Sequence, residues 1–304
     1  MKTSKLKLLL VGLISFWLLV STKVFAQEDT ALPEQPQEQS EAAESVQPEV
    51  DKQSTDKAAE KRKNILADAS AALDETVKAL KALDEDKPDD ALASLERATG
   101  KLELILARDS GLALAPVDLE VVTYDLLANP DTVKAMIHDA EDYLEDGEIQ
   151  KARPLVANLA SEIQFRTTNI PLATYPSAIK AVTPLIDEGK LDEAKDALQS
   201  ALNTLVVSTD EIVPLPKLRA EQMLKNAEAL AEKEERTDKD NETLAGLLSG
   251  ARNQLKMAEL LGSGTKKSYE PMYEQLDQIE AKTSGGKGGK GWFDKIKQQL
   301  SELL

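Results

Sequence analysis

Three segments of the chain repeat one pattern when each is aligned on an alanine, and this repeat constrains the fold more than any other feature. The segments are residues 83–102, 144–163 and 186–205, and the aligned alanines are Ala91, Ala152 and Ala194. A turn signal precedes each alanine, at Asp86, Gly147 and Gly189. Apolar runs on both sides of a turn predict two helices that return along each other, as in a tetratricopeptide unit.

Apolar residues recur at fixed distances from these alanines. Leu83, Leu144 and Ile186 lie eight positions before them, Leu95, Val156 and Leu198 four positions after, and Leu102, Ile163 and Leu205 eleven positions after. The alanines are 61 and then 42 residues apart, so the hairpins do not form a regular tandem array. A longer hairpin follows at 217–262, where Thr237 and Asp240 signal a helix start. We therefore predict irregular helical hairpins over residues 58–282.

Three segments between the hairpins have a different character: residues 116–125, 163–176 and 205–216. β-Branched residues cluster in all three, and each ends at a proline or another turn signal, which is typical of short strands. We expect them to form one small sheet or paired ribbons; extended linkers that cross the helices are the alternative. The predicted fold class is thus mainly α, with tetratricopeptide-like hairpins and a few short strands between them.

Residues 1–26 are typical of a secretory signal peptide. Three lysines precede an apolar run of about 13 residues, and Val24 and Ala26 are the small residues expected before a cleavage site. An uncleaved anchor is the alternative, but a span needs ~20 apolar residues. We expect cleavage before Gln27 and a periplasmic mature protein.

Residues 27–57 contain nine acidic residues, two lysines and three prolines, with few apolar side chains. Such a segment buries too little apolar surface to offset the entropy lost on ordering. We predict a disordered acidic spacer.

The C-terminal end combines a linker and a short amphipathic helix. Residues 283–291 are rich in Gly and Lys, which is typical of flexible linkers. Residues 292–304 carry an apolar stripe on one helix face. Because so short a helix is marginal by itself in water, we expect the stripe to dock. The alternatives are docking on its own domain, on a neighbouring subunit or on a membrane. The predicted oligomer contact consists of Trp292, Phe293, Ile296 and Leu300.

Charge and composition exclude several classes of function. Without residues 1–26 the chain has 33 basic and 54 acidic residues, a net charge of −21, which repels nucleic acid. There is no Cys, so thiolate chemistry and cysteine-ligated metals are excluded. The one histidine, His138, has Asp142 four residues on, as on a solvated helix face. No spacing singles out catalytic, cofactor-binding or metal-binding residues, and we expect no cofactor.

One segment combines rigid, polar and aromatic residues in a way that suits recognition. The candidate recognition surface is Arg166, Thr167, Thr168, Asn169 and Tyr175. A buried structural crossover is the alternative.

The sequence resembles the YfdX family of exported bacterial proteins over residues 60–304. The resemblance rests on residues 98–121, 159–176, 184–207, 218–221, 236–242 and 282–289. It implies a mostly helical, oligomeric periplasmic protein associated with tolerance of acid, drug and heat stress. The family has no settled catalytic residues to transfer to this chain.

These observations favour a non-enzymatic stress-tolerance protein. We expect it to form a homo-oligomer and to bind unfolded client proteins, partners or small molecules, in a chaperone-like manner. The alternative is a scaffolding homo-oligomer that recruits an envelope protein. An enzyme of unrecognised class is a third possibility, which a cleft with pKa-perturbed groups would reveal.

Overall fold

The computed structural model describes residues 40–303, where helices frame a three-stranded antiparallel sheet. The helices are α1 (Glu41–Arg62), α2 (Ala67–Asp84), α3 (Pro88–Arg108), α4 (Pro130–Glu145), α5 (Ile149–Asn158), α6 (Tyr175–Lys180), α7 (Val182–Asp187), α8 (Leu191–Leu202), α9 (Leu215–Ala231), α10 (Asp238–Leu260), α11 (Lys266–Thr283) and α12 (Asp294–Ser301). The strands are β1 (Leu114–Tyr124), β2 (Glu162–Pro171) and β3 (Val206–Pro214). The mainly α class with short strands is confirmed.

The three repeats form the predicted hairpins: α2–α3, α4–α5 and α7–α8. Asp86, Gly147 and Gly189 have φ angles of 53°, 75° and 73°, the left-handed conformation that ends a helix. The same pair of hydrogen bonds closes each turn. In the first, the Lys87 N–H donates to the Ala82 carbonyl and the Asp86 N–H to the Leu83 carbonyl. This repeated helix end explains why the turn residue keeps one distance from the alanine.

The first and third hairpins pack on each other and form a first core. Helix α2 lies against α8, and α3 lies against α6 and α7. The repeat alanines of these two hairpins, Ala91 and Ala194, are fully buried in this core. The second hairpin lies elsewhere and contacts α10 through α4.

A second core is built from the longer hairpin, α9–α10, with α11, α12 and the start of α1. The Thr237 hydroxyl accepts the Asp240 N–H at 3.1 Å and the Asp240 carboxylate accepts the Thr237 N–H at 2.9 Å, so the predicted helix start is a capping box. The hydrogen bond from Lys233, followed by those from Thr237, holds the pKa of the Asp240 carboxyl well below its usual range.

The three predicted strands form one sheet in the order β1-β2-β3, so the expectation of a sheet is confirmed and the linker alternative is wrong. Because successive side chains of a strand point to opposite faces of the sheet, Leu119, Ile163 and Phe165 lie on one face, the inner face. Helix α1 and Leu215 of α9 cover them there. The opposite face of the sheet is the outer face.

The structure corrects the prediction of a disordered spacer, because α1 begins at Glu41. Ser40 caps this helix by accepting the Ala43 N–H. The few apolar residues of the segment stand at helical spacing, and Ala43, Val46 and Val50 are buried in the second core and under the sheet. Packing of these three side chains against the rest of the protein therefore stabilises the helix despite the polar composition of the segment. Residues 27–39, the signal peptide and its cleavage site lie outside the described residues.

The structure also corrects the expectations for the C-terminal end. The predicted flexible linker is fastened by Arg236, which donates to the carbonyls of Thr283 at 3.1 Å and Lys287 at 2.8 Å. Gly289 donates to the Ala231 carbonyl. Phe293, Ile296 and Leu300, three of the four residues of the predicted oligomer contact, are buried in the second core, and the fourth, Trp292, packs beside them. The chain's own helices cover the stripe, so it is not a free surface for a second subunit.

Within residues 40–303, every helix is too short or too polar to cross a bilayer.

Candidate binding surface

The outer face of the sheet is the candidate site. It faces away from the inner core, and β-strand alternation brings Gln164 and Arg166 of β2 onto it. The register places Gln164 between Val122 and Ile212, and Arg166 between Glu120 and Thr209. The outer sheet face is the surface formed by Tyr124, Gln164, Arg166, Thr168, Val207 and Ile212.

Arg166 is held in place at the centre of this face. Its Nη2 donates to the Tyr124 hydroxyl at 2.8 Å, and its Nε donates to Gln164 Oε1 at 2.9 Å. The guanidinium carbon lies 5.8 Å from the centroid of the Tyr124 ring, within cation–π distance. These contacts remove much of the side chain's rotational freedom, so the cation is presented in a fixed position.

The apolar part of the outer sheet face lies on β3. Val207 and Ile212 are 61% and 51% exposed, although both belong to a strand. β3 is an edge strand, and among residues 40–303 no other strand pairs with its free side. A β-bulge at Asp210 shifts the register between Phe165 and Arg166. An exposed apolar edge of this kind can accept another extended chain.

Two lysines of α1 hold β3 from the inner side. Lys57 and Lys61 both pair with Glu211, Lys61 at 2.9 Å. Partial burial raises the pKa of the Glu211 carboxyl, but the hydrogen bonds from the lysines outweigh burial and lower the pKa overall. Lys61 also lies 5.6 Å from the Phe165 ring centroid. β3 is thus anchored on one face and open on the other.

The predicted recognition residues do not share one surface. Arg166 and Thr168 lie on the outer sheet face, as expected. Thr167 and Asn169 are buried: Thr167 donates to Asp210, and Asn169 Nδ2 donates to the Thr167 carbonyl at 2.9 Å. Tyr175 is buried in the first core, where burial raises the pKa of its hydroxyl. The prediction was wrong for these three because strand alternation and the start of α6 turn them inward.

Four residues of the outer sheet face were missed by sequence reasoning: Tyr124, Gln164, Val207 and Ile212. The period-2 alternation of the strands was a usable signal, since it assigns Gln164 and Arg166 to one face. The cross-strand neighbours depend on the register, which the sequence does not specify.

His138 is exposed on α4, with its Nδ1 3.6 Å from Asp142 Oδ1. This agrees with the expected solvated position. Across the described part of the chain, no group of three or more His, Cys, Asp or Glu side chains is placed to hold a metal ion.

Fold and surface together define a class: a mainly helical protein whose hairpins frame a small sheet with one open face. Residues 72–211 match the family described as YfdX protein, from within α2 to within β3. This region takes in most of the first hairpin, the second and third hairpins and most of the sheet, and over it the chain is similar to the YfdX family.

A solved structure of Salmonella Typhi YfdX is among the similar chains. It is 16% identical, with a TM-score of 0.34, and the match covers 50% of this chain and 93% of that one. No curated protein matches this chain.

Proposed function

We propose that this protein binds extended segments of unfolded client proteins along β3 and the outer sheet face, without catalysing a reaction. The observation that carries the proposal is the open edge of β3 with Val207 and Ile212 exposed beside it. A client strand added to this edge forms main-chain hydrogen bonds, which do not depend on the client's sequence. Sequence-independent capture is what a chaperone-like protein requires.

The contacts available at this edge favour weak, reversible binding. Burying a whole Val or Ile side chain contributes ~1.5–3 kcal/mol, and these two are about half exposed, so each supplies roughly 1 kcal/mol. A few main-chain hydrogen bonds add ~0.5–1.5 kcal/mol each, before the cost of association. Such an interaction holds a client briefly and then releases it.

Charge supports the same role. The chain carries a large negative net charge, which opposes non-specific aggregation and favours solubility. A client held on β3 shares that charge, so complexes repel each other while the aggregation-prone segment is covered.

Aggregation of a chemically denatured, unrelated protein after dilution tests the proposal. The variant Val207→Lys/Ile212→Lys places two charges on the outer sheet face and is expected to lose most of the protection. Val77→Lys is the matched control, because Val77 is also about half exposed but lies on α2. Equal protection by all three proteins, or equal loss in the control, would contradict the proposal.

We further propose that the protein acts in the periplasm after removal of residues 1–26, under acid, drug or heat stress. The sequence of the leader and the family resemblance support this. N-terminal sequencing of the periplasmic fraction should give Gln27; an intact Met1 in the membrane fraction would contradict it.

The scaffolding alternative differs in what is captured. A scaffold retains one defined envelope protein in a crosslinking pull-down from stressed cells, whereas a client binder retains many unrelated proteins. The outer sheet face favours the client binder, since main-chain pairing has little sequence selectivity.

A further inference from the structure

The loop between α11 and α12 carries positive charge in an otherwise acidic chain. Residues 282–293 contain Lys282, Lys287 and Lys290 and no acidic residue, whereas the whole chain has a net charge of −17. Within the described part of the chain, none of these three lysines pairs with a carboxylate, in contrast to several neighbouring cations. Such a local excess of cations attracts anions.

Two of these lysines line a cleft at the C-terminal end of α11, with a volume of about 610 Å³. The walls of the cleft are formed by Ala281, Lys282, Ser284, Lys287, Gly288 and Trp292. The ammonium of Lys282 lies 5.8 Å from the centroid of the Trp292 ring, within cation–π distance. Lys282 is therefore held at the cleft against a half-buried indole.

Arg236 holds the loop in place and adds a third cation beside it. Its guanidinium donates to the carbonyls of Thr283 and Lys287. It also donates to the Ala231 carbonyl at 3.2 Å and to Asn241 Oδ1 at 2.9 Å. All four acceptors are neutral, so among the described residues no ion pair balances the charge of Arg236.

The backbone of the loop provides a hydrogen-bond donor at the cleft. The Lys287 carbonyl points towards Arg236, and the C=O and N–H of a trans peptide group point in opposite directions. The Gly288 N–H therefore points away from Arg236, and it donates to no acceptor within residues 40–303. A Cβ at residue 288 would lie 2.7 Å from the Lys233 carbonyl oxygen, so glycine permits this close approach.

The surroundings of the cleft favour a small anion over a large one. The turn after α9, which the loop contacts at Ala231 and Lys233, carries Glu232, Glu234 and Glu235. A polyanion or an anionic membrane that reached the lysines would also approach these carboxylates and be repelled. A small anion contacts the cleft alone, because charges more than ~8 Å away are largely screened at physiological salt. Lysine ammonium groups and the N–H groups of such loops are groups with which proteins bind phosphate.

We propose that this cleft binds a small molecule that carries a phosphate group. The phosphate lies between the ammonium groups of Lys282 and Lys287 and accepts the Gly288 N–H, and Trp292 contacts the rest of the molecule. The cleft shares no residue with β3 or the outer sheet face, so this binding does not depend on client binding.

Binding of small phosphates to the protein that begins at Gln27 tests the proposal. Trp292 is the only tryptophan after residue 17, so its fluorescence reports on the cleft. The probes are inorganic phosphate and glycerol 3-phosphate, with glycerol as the uncharged control, all at constant ionic strength. Both phosphates should change the emission saturably, glycerol should not, and equilibrium dialysis with radiolabelled phosphate should give the same affinity. Absence of saturable binding in the dialysis, or an equal emission change with glycerol, would overturn the proposal.

Removal of charge locates the site. Lys282→Gln/Lys287→Gln should weaken phosphate binding in the dialysis by about tenfold or more, because two charge-assisted hydrogen bonds are lost. The matched control is Lys266→Gln/Lys267→Gln, which removes the same charge from two exposed lysines at the start of α11 and should bind as the wild type does. Undiminished binding by the first variant, or equal weakening in the control, would contradict a site at the cleft.

A lipid headgroup is the other source of the same phosphate chemistry, and sedimentation with phosphatidylglycerol vesicles tests it. We expect the protein to stay in the supernatant, because the carboxylates beside the cleft oppose an extended anionic surface. Sedimentation of the wild type that is lost in Lys282→Gln/Lys287→Gln would assign the cleft to lipid and overturn the small-molecule site.

Discussion

Arg219 is a buried charged side chain whose loss should destabilise the protein strongly. It is 3% exposed on α9, and its guanidinium makes two hydrogen bonds to Asp125 at 2.9 and 2.6 Å and two to Gln47 at 3.1 and 2.7 Å. Gln47 belongs to α1, and Asp125 follows β1. One buried cation therefore joins α1, α9 and the end of the sheet.

Replacing Arg219 with Ala leaves Asp125 without its buried partner. Removing one partner of a buried pair costs ~3–5 kcal/mol. Asp125 keeps 27% of its side chain exposed, so water recovers part of its solvation, and we expect a loss of about 2–4 kcal/mol. With an m value of ~3 kcal/mol per M, this lowers the urea midpoint by roughly 1 M.

Urea unfolding followed by far-ultraviolet circular dichroism measures this change. Arg108→Ala is the control, because Arg108 is 71% exposed and its pair with Asp68 lies on the surface; it should cost no more than ~1 kcal/mol. If Arg219→Ala unfolded within ~0.5 kcal/mol of the wild type, α1 would not be fixed by this contact and the argument would be wrong.

Three further predictions concern single side chains. Glu211→Gln should lower the free energy of unfolding at neutral pH. Because the pKa of the Glu211 carboxyl is lowered in the folded state, the difference in stability between wild type and variant should shrink as pH falls below ~4. Urea midpoints measured across pH would show this. Burial, reinforced by the charge of Glu259, raises the pKa of Tyr269 to about 12. The protonated Tyr269 hydroxyl therefore contributes fully to folding stability below pH ~10, and this contribution declines as pH rises towards 12. Tyr269→Phe should reduce unfolding at alkaline pH, followed by tyrosinate absorbance. Gly288→Ala places a Cβ 2.7 Å from the Lys233 carbonyl oxygen and should cost ~1–3 kcal/mol, whereas Gly100→Ala in α3, with open space around it, should stabilise by ~0.5–1 kcal/mol in the same urea assay.

The helical hairpins and the sheet were predictable because they depend on local signals. The turn residues Asp86, Gly147 and Gly189 adopt the left-handed conformation that their position in the repeat requires. The β-branched segments paired as strands because each is long enough and ends at a turn signal.

The failures come from interactions between distant parts of the chain. Helix α1 carries only a few apolar residues, and its order depends on α9 and the sheet, which no local pattern shows. Tyr175 resembles a recognition residue by type and neighbours, yet it fills the first core. The repeat likewise gave no sign that Leu144 and Val156 would be exposed, because pairing of hairpins is decided by the tertiary arrangement.

Amide hydrogen exchange with and without a bound client tests the central claim most directly. The client is a permanently unfolded, unrelated polypeptide, added in excess to the full protein. Binding along β3 predicts slower exchange of amides within residues 206–214, with little change in α4 and α5. Unchanged exchange in β3, or protection confined to another part of the protein, would contradict the account.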